Sequence, residues 1–472
     1  MMNSGILFPL SSFPSKHGIG DLGKEAYKVI DQLAANKGQY LQILPFHPST
    51  QANSPYRAVS TYAGDEIYIN LNSLVENGLL DEVPEYYSET SNVDYDKIRK
   101  FKHKYLLLAY NNFKGNDQYD RFLTKCPWVF DYALYCTFAS INKSYDWASW
   151  PTEFKDYPKY HQVNLTKYTE QIAYYQFVQF IFYHQWFSFK KYANDKGIKI
   201  IGDMPFYVDH GSVEVWLDNQ SFLLDEAGYP TSVAGVPPDY FSPTVQYWGN
   251  PLYDWKYLKF NKFKFWTDRI GWASKIFDIT RIDHFRAFDS YWDIPVDAPT
   301  AIEGSWKYAP GYELFDQLYA SLGSIDLVAE DLGYLRPEVI ELKNHYHLKG
   351  MKVFQFMLDD GFNDLEHSYF YPGTHDNETI KGWSDSLNEE ALNKIKKIVD
   401  EKLPLNLAII KFCLHSNASD VIVPVWDLLE VDNEQRFNIP GEVNDTNWTY
   451  RVSNMSLVEK AFKLFNKLKS ED

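Results

Sequence analysis

Short apolar runs that end in polar residues recur along the chain and predict the strands of a parallel sheet. Continuous apolar runs of this length are typical of strands that are buried on both faces. The eight runs are Gly5–Leu10, Tyr40–Pro45, Ile198–Phe206, Ile279–Phe285, Ile325–Leu332, Lys352–Leu358, Tyr369–His375 and Asp420–Trp426. Helical patterns between them cover Lys24–Ala35, Tyr95–Phe113, Phe122–Ile141, Thr166–Asp195 and residues 388–403. Eight strands that alternate with helices predict an α/β fold, a (β/α)8 barrel (TIM barrel).

The uneven spacing of these runs predicts that other segments are inserted into the barrel. Residues 207–262 are rich in Pro, Gly and aromatic residues, and we expect a long ordered loop there, of the kind that usually carries function. No C-terminal β-domain is predicted. The predicted parts are 1–84 (barrel start), 85–165 (mainly helical insertion), 166–206 (barrel), 207–262 (active-site loop insertion) and 263–472 (barrel completion, with a final helix near 456–469).

Composition and charge narrow the range of partners. The chain has 472 residues, with 46 Lys and Arg against 63 Asp and Glu, and a net charge of −17 at pH 7. Nucleic acids and anionic membranes need basic patches, so neither is an expected partner. Cys126, Cys136 and Cys413 show no metal-ligand spacing, and neither a signal peptide nor an apolar run long enough to span a membrane is apparent. We therefore expect a cytoplasmic protein, whose oligomeric state stays open.

Aromatic residues are unusually frequent and make up 17% of the chain. They fit either a core rich in Tyr and Phe or a surface that stacks on flat, weakly polar ligands such as sugars. Composition alone does not separate these interpretations.

Acidic residues and histidines lie at the C-terminal ends of several predicted strands, at the rim where TIM-barrel enzymes carry their catalytic groups. The residues are Asp203, Asp283, His284, Glu330, Asp331, His375 and Asp376. Each acid alone could cap a helix or pair with a neighbour, but all of them share one rim. Two chemistries fit, which are metal binding by His and carboxylates and glycoside cleavage by paired carboxylates. No HxH or HExxH motif supports the first.

Two of the acids suit the two roles of a retaining glycosidase, which are an ionised nucleophile and a protonated acid. Strand alternation places Arg281 and Asp283 on one side, and a guanidinium favours an ionised carboxylate, so Asp283 suits the nucleophile. Val328 and Ala329 precede Glu330, and partial burial would raise its pKa as a general acid requires. The structural alternatives are an ion pair that fills the barrel and a cap for the next helix.

Longer motifs around these residues resemble the 4-α-glucanotransferases (amylomaltases), distant relatives of the α-amylases. The motifs are GIGDLG (18–23), SPY (54–56), GDMPFYV (202–208), AGVPPDYFS (234–242), WGNPLY (248–253), RIDHFRAF (281–288), AEDLG (329–333), GTHDN (373–377), APG (309–311) and NIPG (438–441). The resemblance extends from about residue 5 to residue 451 and implies a barrel with inserted subdomains.

This resemblance also implies roles for individual residues. Asp283 would be the nucleophile, Glu330 the acid/base, and Asp376 a third carboxylate that grips sugar hydroxyls and stabilises the distorted ring. The further substrate contacts that it implies are Tyr56, Asp203, Arg281, His284 and His375. It implies neither a metal site nor an organic cofactor.

The implied reaction moves α-1,4-glucan segments between maltooligosaccharides, which act as donor and acceptor, by a retaining double displacement. Carboxylates alone do not select a sugar over water, so acceptor binding must decide. Tyr240, Phe241 and Trp248 of the long loop are predicted to stack on acceptor rings. Three alternatives stay open, which are an α-amylase-like hydrolase with the same carboxylates, a non-catalytic glycan-binding protein and a metal-dependent barrel hydrolase.

Two departures from the family pattern lie close to these residues. Arg57 and Ala58 follow SPY where Gln and Ser are usual, and Ala287 stands where Gly is common. Because Arg57 follows the implied substrate contact Tyr56, the preferred substrate length stays open.

Overall fold

A parallel sheet forms the centre of the molecule. The computed structural model describes residues 3–50, 52–86, 92–237, 246–298, 300–359 and 361–470. The strands in these ranges are β1 (Asn3–Leu7), β2 (Tyr40–Gln42), β3 (Lys199–Met204), β4 (Ser232–Val236), β5 (Gln246–Pro251), β6 (Ile279–Ile282), β7 (Ser290–Pro295), β8 (Ser305–Tyr308), β9 (Leu327–Ala329), β10 (Gly350–Val353), β11 (Ser368–Tyr371) and β12 (Asp420–Pro424).

Eight of these strands form the barrel, in the order β10-β11-β12-β1-β2-β3-β6-β9, with parallel pairing throughout. A parallel bridge between Val328 and Lys349 brings β9 to β10 and closes the sheet. Each barrel strand overlaps one of the predicted apolar runs, although β10 shares only residues 352 and 353 with its run. The predicted (β/α)8 barrel is therefore confirmed.

Helices surround the barrel and fill the connections between its strands. The α-helices are α1 (Lys24–Ala35), α2 (Asn72–Glu76), α3 (Tyr95–Asn112), α4 (Asp117–Lys125), α5 (Trp128–Asn142), α6 (Thr152–Lys155), α7 (Tyr157–Tyr160), α8 (Thr169–Asp195), α9 (Val213–Leu217), α10 (Trp255–Phe260), α11 (Lys264–Ile276), α12 (Gly311–Leu322), α13 (Pro337–His345), α14 (Ile380–Asp385), α15 (Glu389–Lys396), α16 (Leu405–Leu414), α17 (Val425–Leu428) and α18 (Met455–Ser470). Short 3₁₀ helices include Phe285–Phe288 after β6 and Phe354–Phe356 after β10. No helix in the described ranges is long and apolar enough to cross a membrane.

Local patterns account for the bounds of several helices. In α1 the residues Ala26, Val29, Ile30 and Leu33 are buried, and this helical spacing predicts the bounds that the structure has. The single helix predicted over Phe122–Ile141 is wrong, because α4 ends at Lys125 and α5 begins at Trp128. Pro127, which lacks an amide hydrogen, stands immediately before α5, where a helix can begin but not continue.

Two other expectations about strands need correction. The run Lys352–Leu358 is not one strand, because pairing with β11 stops at Val353 and the chain then enters a 3₁₀ turn. The long loop predicted over 207–262 contains β4 and β5. These strands form an antiparallel sheet with the order β5-β4-β7-β8, and we call this four-stranded layer the antiparallel sheet. Two of its four strands, β7 and β8, lie beyond residue 262, so the sequence pattern within 207–262 did not predict the sheet.

The aromatic residues of the chain divide between core and surface. Trp147, Trp186, Trp216, Trp266 and Trp426 are among the largest fully buried side chains. Tyr247, Trp306, Tyr308 and Tyr334 are exposed. Many aromatic residues therefore belong to the core, and the exposed ones leave the prediction of a ligand-stacking surface open.

Candidate active site

The carboxyl ends of neighbouring barrel strands bring Asp283 and Glu330 together. In the parallel pairing of β6 with β9, Ile282 lies opposite Ala329. Asp283 and Glu330 are the next residues on the two strands, and paired strands lie roughly 4.8 Å apart. Both side chains line a cleft of about 320 Å³ at this rim. The pairing register therefore places the two acids side by side over one cavity.

Arg281 forms ion pairs with Asp203 and Asp283 at the base of this cleft. Its Nη1 lies 2.8 and 2.7 Å from the two carboxylate oxygens of Asp203 and 3.1 Å from Oδ1 of Asp283. Asp203 is fully buried, whereas the side chain of Asp283 is 30% exposed. The guanidinium thus neutralises Asp203 inside the barrel and leaves Asp283 facing the cleft. The expected placement of Arg281 and Asp283 on one side of the strand is what the structure shows.

Burial raises the pKa of both Asp283 and Glu330, because desolvation penalises their charged forms. The positive charge of Arg281 opposes this rise at both carboxyls, and the charge of Asp283 raises the pKa of Glu330 further. Of Asp283 and Glu330, only Asp283 accepts a hydrogen bond from the Arg281 guanidinium. When the pair shares one proton, we therefore assign that proton to Glu330.

Glu330 is also oriented by the backbone of the neighbouring strand. The backbone N–H of His284 donates to Glu330 Oε2 at 2.7 Å. His284 has a φ of 52°, in the left-handed region, so the chain turns sharply just after Asp283. This turn directs the amide toward the carboxyl group of Glu330, which lines the cleft.

A chain of polar contacts connects this pair to His375 and Asp376, which follow β11. The Tyr56 hydroxyl donates to Asp203 Oδ2 at 2.7 Å and lies 2.8 Å from His375 Nε2. Since the phenol has one proton, His375 must donate from Nε2 to the Tyr56 oxygen. The same nitrogen lies 3.4 Å from Asp376 Oδ2. Burial lowers the pKa of His375, which favours its neutral ring.

Two residues near the C-terminus complete the site, and the sequence did not predict either individually. Asn438 Nδ2 donates to Asp376 Oδ1 at 2.7 Å, and the Arg436 guanidinium donates to the backbone carbonyl of Asp376. Asn438 is buried. It belongs to the NIPG motif, which was the available signal, but the motif gave no reason to place it beside Asp376.

Trp248 and His284 form another wall of the cleft. Their ring centroids lie 4.8 Å apart with the planes at 83°. The Trp248 carbonyl accepts a hydrogen bond from Arg57 Nη2 at 2.7 Å. Burial lowers the pKa of His284 to about 3, so its ring is neutral. His284 Nε2 is buried and has no hydrogen-bond partner in the described part of the chain.

The remaining predicted residues are placed as follows. Tyr240 and Phe241 lie outside the described residues, so their role as acceptor contacts stays a prediction. Tyr56 and Asp376 line the same cleft as Asp283 and Glu330, and so do Arg57 and Trp448, which were not predicted as site residues. Across the ranges that the structure describes, no group of three or more His, Cys, Asp and Glu residues is arranged to hold a metal ion.

Known proteins match this chain over almost its whole length. The family model for 4-alpha-glucanotransferase matches residues 8–457. The 4-alpha-glucanotransferases of Thermus thermophilus and Clostridium butyricum are each 37% identical, covering 95% and 97% of this chain and 94% and 98% of their own. The amylomaltase from Streptococcus agalactiae in complex with acarbose has a TM-score of 0.93 at 33% identity, covering 100% of this chain and 99% of its own. The chain belongs to the 4-alpha-glucanotransferase family.

Proposed function

We propose that this chain is a 4-α-glucanotransferase that moves α-1,4-glucan segments between maltooligosaccharides with retention at the anomeric carbon. The observation that carries the proposal is the pairing register that sets Asp283 beside Glu330 above Arg281. Family membership supports the substrate class, and the geometry supports the division of roles between the two acids. An α-amylase-like hydrolase and a non-catalytic binding protein are the alternatives that the experiment below excludes.

In the first step Asp283 attacks the anomeric carbon of the donor glucan. Glu330 gives its proton to the glycosidic oxygen as the bond between that oxygen and the anomeric carbon breaks. A β-linked glucosyl ester with Asp283 forms, and the fragment on the acceptor side departs. The contact of Arg281 with Asp283 supports an ionised nucleophile, and the burial of Glu330 supports a proton on the acid.

In the second step Glu330, now a carboxylate, accepts the proton of the 4-hydroxyl on an incoming glucan. That oxygen attacks the anomeric carbon, the ester bond to Asp283 breaks, and the α-1,4 linkage is restored. Two inversions give net retention. The same carboxyl group serves as acid and then as base, so the enzyme returns to its starting protonation state.

Asp376 is proposed to bind hydroxyls of the sugar at the cleaved bond. Asn438 holds its Oδ1, and His375 lies near its Oδ2, so the carboxylate is fixed before substrate arrives. Trp248 and His284, with Tyr240 and Phe241 on sequence grounds, are proposed acceptor contacts. Their aromatic rings would exclude water and favour transfer over hydrolysis.

Incubation with pure maltotriose tests the proposal, with product chain lengths read by mass spectrometry. We expect a ladder of shorter and longer oligomers plus glucose from the wild type and a loss of at least about 10⁴-fold in Asp283→Asn. A hydrolase would yield only shorter products. An inactive wild type that still binds maltooligosaccharides would support the non-catalytic alternative. Unchanged melting of Asp283→Asn controls for folding.

We also propose a cytoplasmic location. Cys126, Cys136 and Cys413 are buried free thiols. Free thiols are the usual state of cysteine in a reducing compartment, which supports this proposal. Labelling of the three thiols in protein purified under non-reducing conditions tests it.

A further inference from the structure

The antiparallel sheet carries a line of aromatic side chains that begins at the cleft. Residues directly opposite each other on antiparallel strands project from the same face. Tyr247 lies opposite Gly235, Gly235 opposite Trp292, and Trp292 opposite Trp306. Tyr308 is two residues beyond Trp306 on β8 and therefore shares this face. We call Tyr247, Trp292, Trp306 and Tyr308 the aromatic row.

The aromatic row extends from the catalytic cleft to the outer edge of the sheet. Tyr247 lines the cleft, and β8 is the outermost strand. Three steps between neighbouring strands span roughly 14 Å. Tyr247, Trp306 and Tyr308 are 58%, 36% and 71% exposed. Exposed aromatic side chains in one line, unlike scattered ones, indicate a binding surface.

Two arginines stack on rings of this surface. The Arg286 guanidinium lies 4.1 Å from the ring centre of Trp306, and the Arg336 guanidinium lies 4.9 Å from that of Tyr308. A guanidinium stacked on a ring keeps its N–H groups directed outward in its own plane. Arg286 also lines the catalytic cleft, so the row and the cleft are continuous. Apolar ring faces beside guanidinium and carboxylate groups suit a ligand with apolar C–H faces and a rim of hydroxyls.

The charge around the aromatic row favours a neutral ligand. Arg336 lies 3.3 Å from Asp289 and 2.8 Å from Glu338, so nearby carboxylates offset its charge. The chain as a whole carries a net charge of −17, which repels anionic polymers. An uncharged polysaccharide is not repelled by this net charge and does not depend on the positive charge of Arg336.

We propose that the aromatic row binds the distal part of an α-1,4-glucan whose end occupies the acceptor side of the cleft. The inference rests on the proposed function and adds a preference for long acceptors. A short acceptor ends inside the cleft and gains nothing from the row. A long chain continues across the antiparallel sheet and is held at additional sugar units.

The test compares acceptors of different length in Trp306→Ala/Tyr308→Ala. With maltotriose as donor, we expect about a tenfold fall in kcat/KM for an amylose acceptor and no change for glucose. Tyr160→Ala is the matched control, because Tyr160 is 53% exposed on α7 and lies outside the row. Tyr308→Ser alone, at the exposed sheet edge, is included because loss of Trp306 could disturb folding. We expect this variant to lower kcat/KM for the amylose acceptor about threefold.

A binding measurement separates this inference from the proposed function. In gels that contain amylose, Asp283→Asn should be retarded more strongly than Asp283→Asn/Tyr308→Ser. An unchanged ratio of amylose to glucose kcat/KM in both row variants, or equal retardation of the two inactive proteins, would overturn the role of the aromatic row. A wild type that fails to disproportionate maltotriose would overturn the proposed function, and gel retardation would still decide on the row.

Discussion

The barrel rim and the antiparallel sheet meet at one cleft, but they present their side chains in opposite ways. The four residues of β6 are buried, and Arg281 and Asp203 form an ion pair inside the barrel. The four residues of β8 are all exposed, with Trp306 and Tyr308 on one face. Buried charges fix pKa values and geometry, whereas exposed rings bind ligands without needing a fixed charge. We infer that the rim controls bond cleavage and that the sheet controls the choice of glucan.

This contrast predicts how strongly each region responds to substitution. Removing one partner of a buried polar pair leaves the other partner buried without a hydrogen bond or opposite charge. This costs several kcal/mol of stabilising free energy. Removing an exposed ring or an arginine at the cleft edge loses only the contact itself. Variants at the rim should therefore affect kcat, and variants at the sheet should affect acceptor use.

After Asp283→Asn, the largest of these effects is expected for Glu330→Gln, which removes the proposed acid for the leaving oxygen. We expect a loss of about 10²- to 10⁴-fold in kcat with maltotriose. With an α-maltosyl fluoride donor the first step should be nearly normal, because fluoride leaves without a proton. Single-turnover kinetics on the two donors provide the measurement, and an equal loss on both would contradict the role of Glu330 as acid.

The pH dependence of kcat/KM is the next test of the rim. Protonation of Asp283 at low pH removes the nucleophile, and ionisation of Glu330 at high pH removes the acid. Because burial raises both pKa values, we expect the maximum nearer neutral pH than carboxyl groups in water would give, with limbs of about tenfold per pH unit. Glu330→Gln should lack the alkaline limb. A wild-type maximum below pH 4 would show that burial does not set these pKa values.

Asn438 should have a smaller effect, through the position of Asp376. Asn438→Ala removes the hydrogen bond to Asp376 Oδ1, and we expect kcat to fall about tenfold with little change in KM. Asn438→Asp, of similar size, places a second carboxylate there. It should lower kcat further and move the acid limb of the pH profile upward. Equal effects of both variants on kcat, with unchanged pH profiles, would indicate a merely structural role.

The smallest effect is expected for Arg57→Gln at the border between rim and sheet. Arg57 donates to the Trp248 carbonyl and lies 3.5 Å from Asp209, so it holds β5 against the barrel. Its loss should lower the ratio of transfer to hydrolysis about threefold and leave the rate of maltotriose cleavage unchanged. Product analysis with labelled acceptor gives this ratio. A tenfold fall in cleavage would instead place Arg57 among the residues that control the rim.

The sequence alone determined the barrel and the position of its acids. Each barrel strand is a local apolar run, and strands of this kind need only neighbours of the same kind to be buried. Asp283 and Glu330 were predictable because they follow such runs, and the barrel gathers all strand ends at one rim. The helix α1 was predictable to the residue because its buried face repeats at helical spacing within one segment.

Only the tertiary structure decided what completes the site. Asn438 reaches Asp376 across 62 residues, and the Tyr56 hydroxyl reaches Asp203 across 147. In the antiparallel sheet, β4 pairs with β7 from beyond β6, and the short exposed β8 has no apolar pattern of its own. A hydrophobic pattern shows which residues of one segment are stabilised by burial, and this information lies within the segment itself. Hydrogen-bond pairing between distant segments depends on how the whole chain packs, and no single stretch of sequence records it.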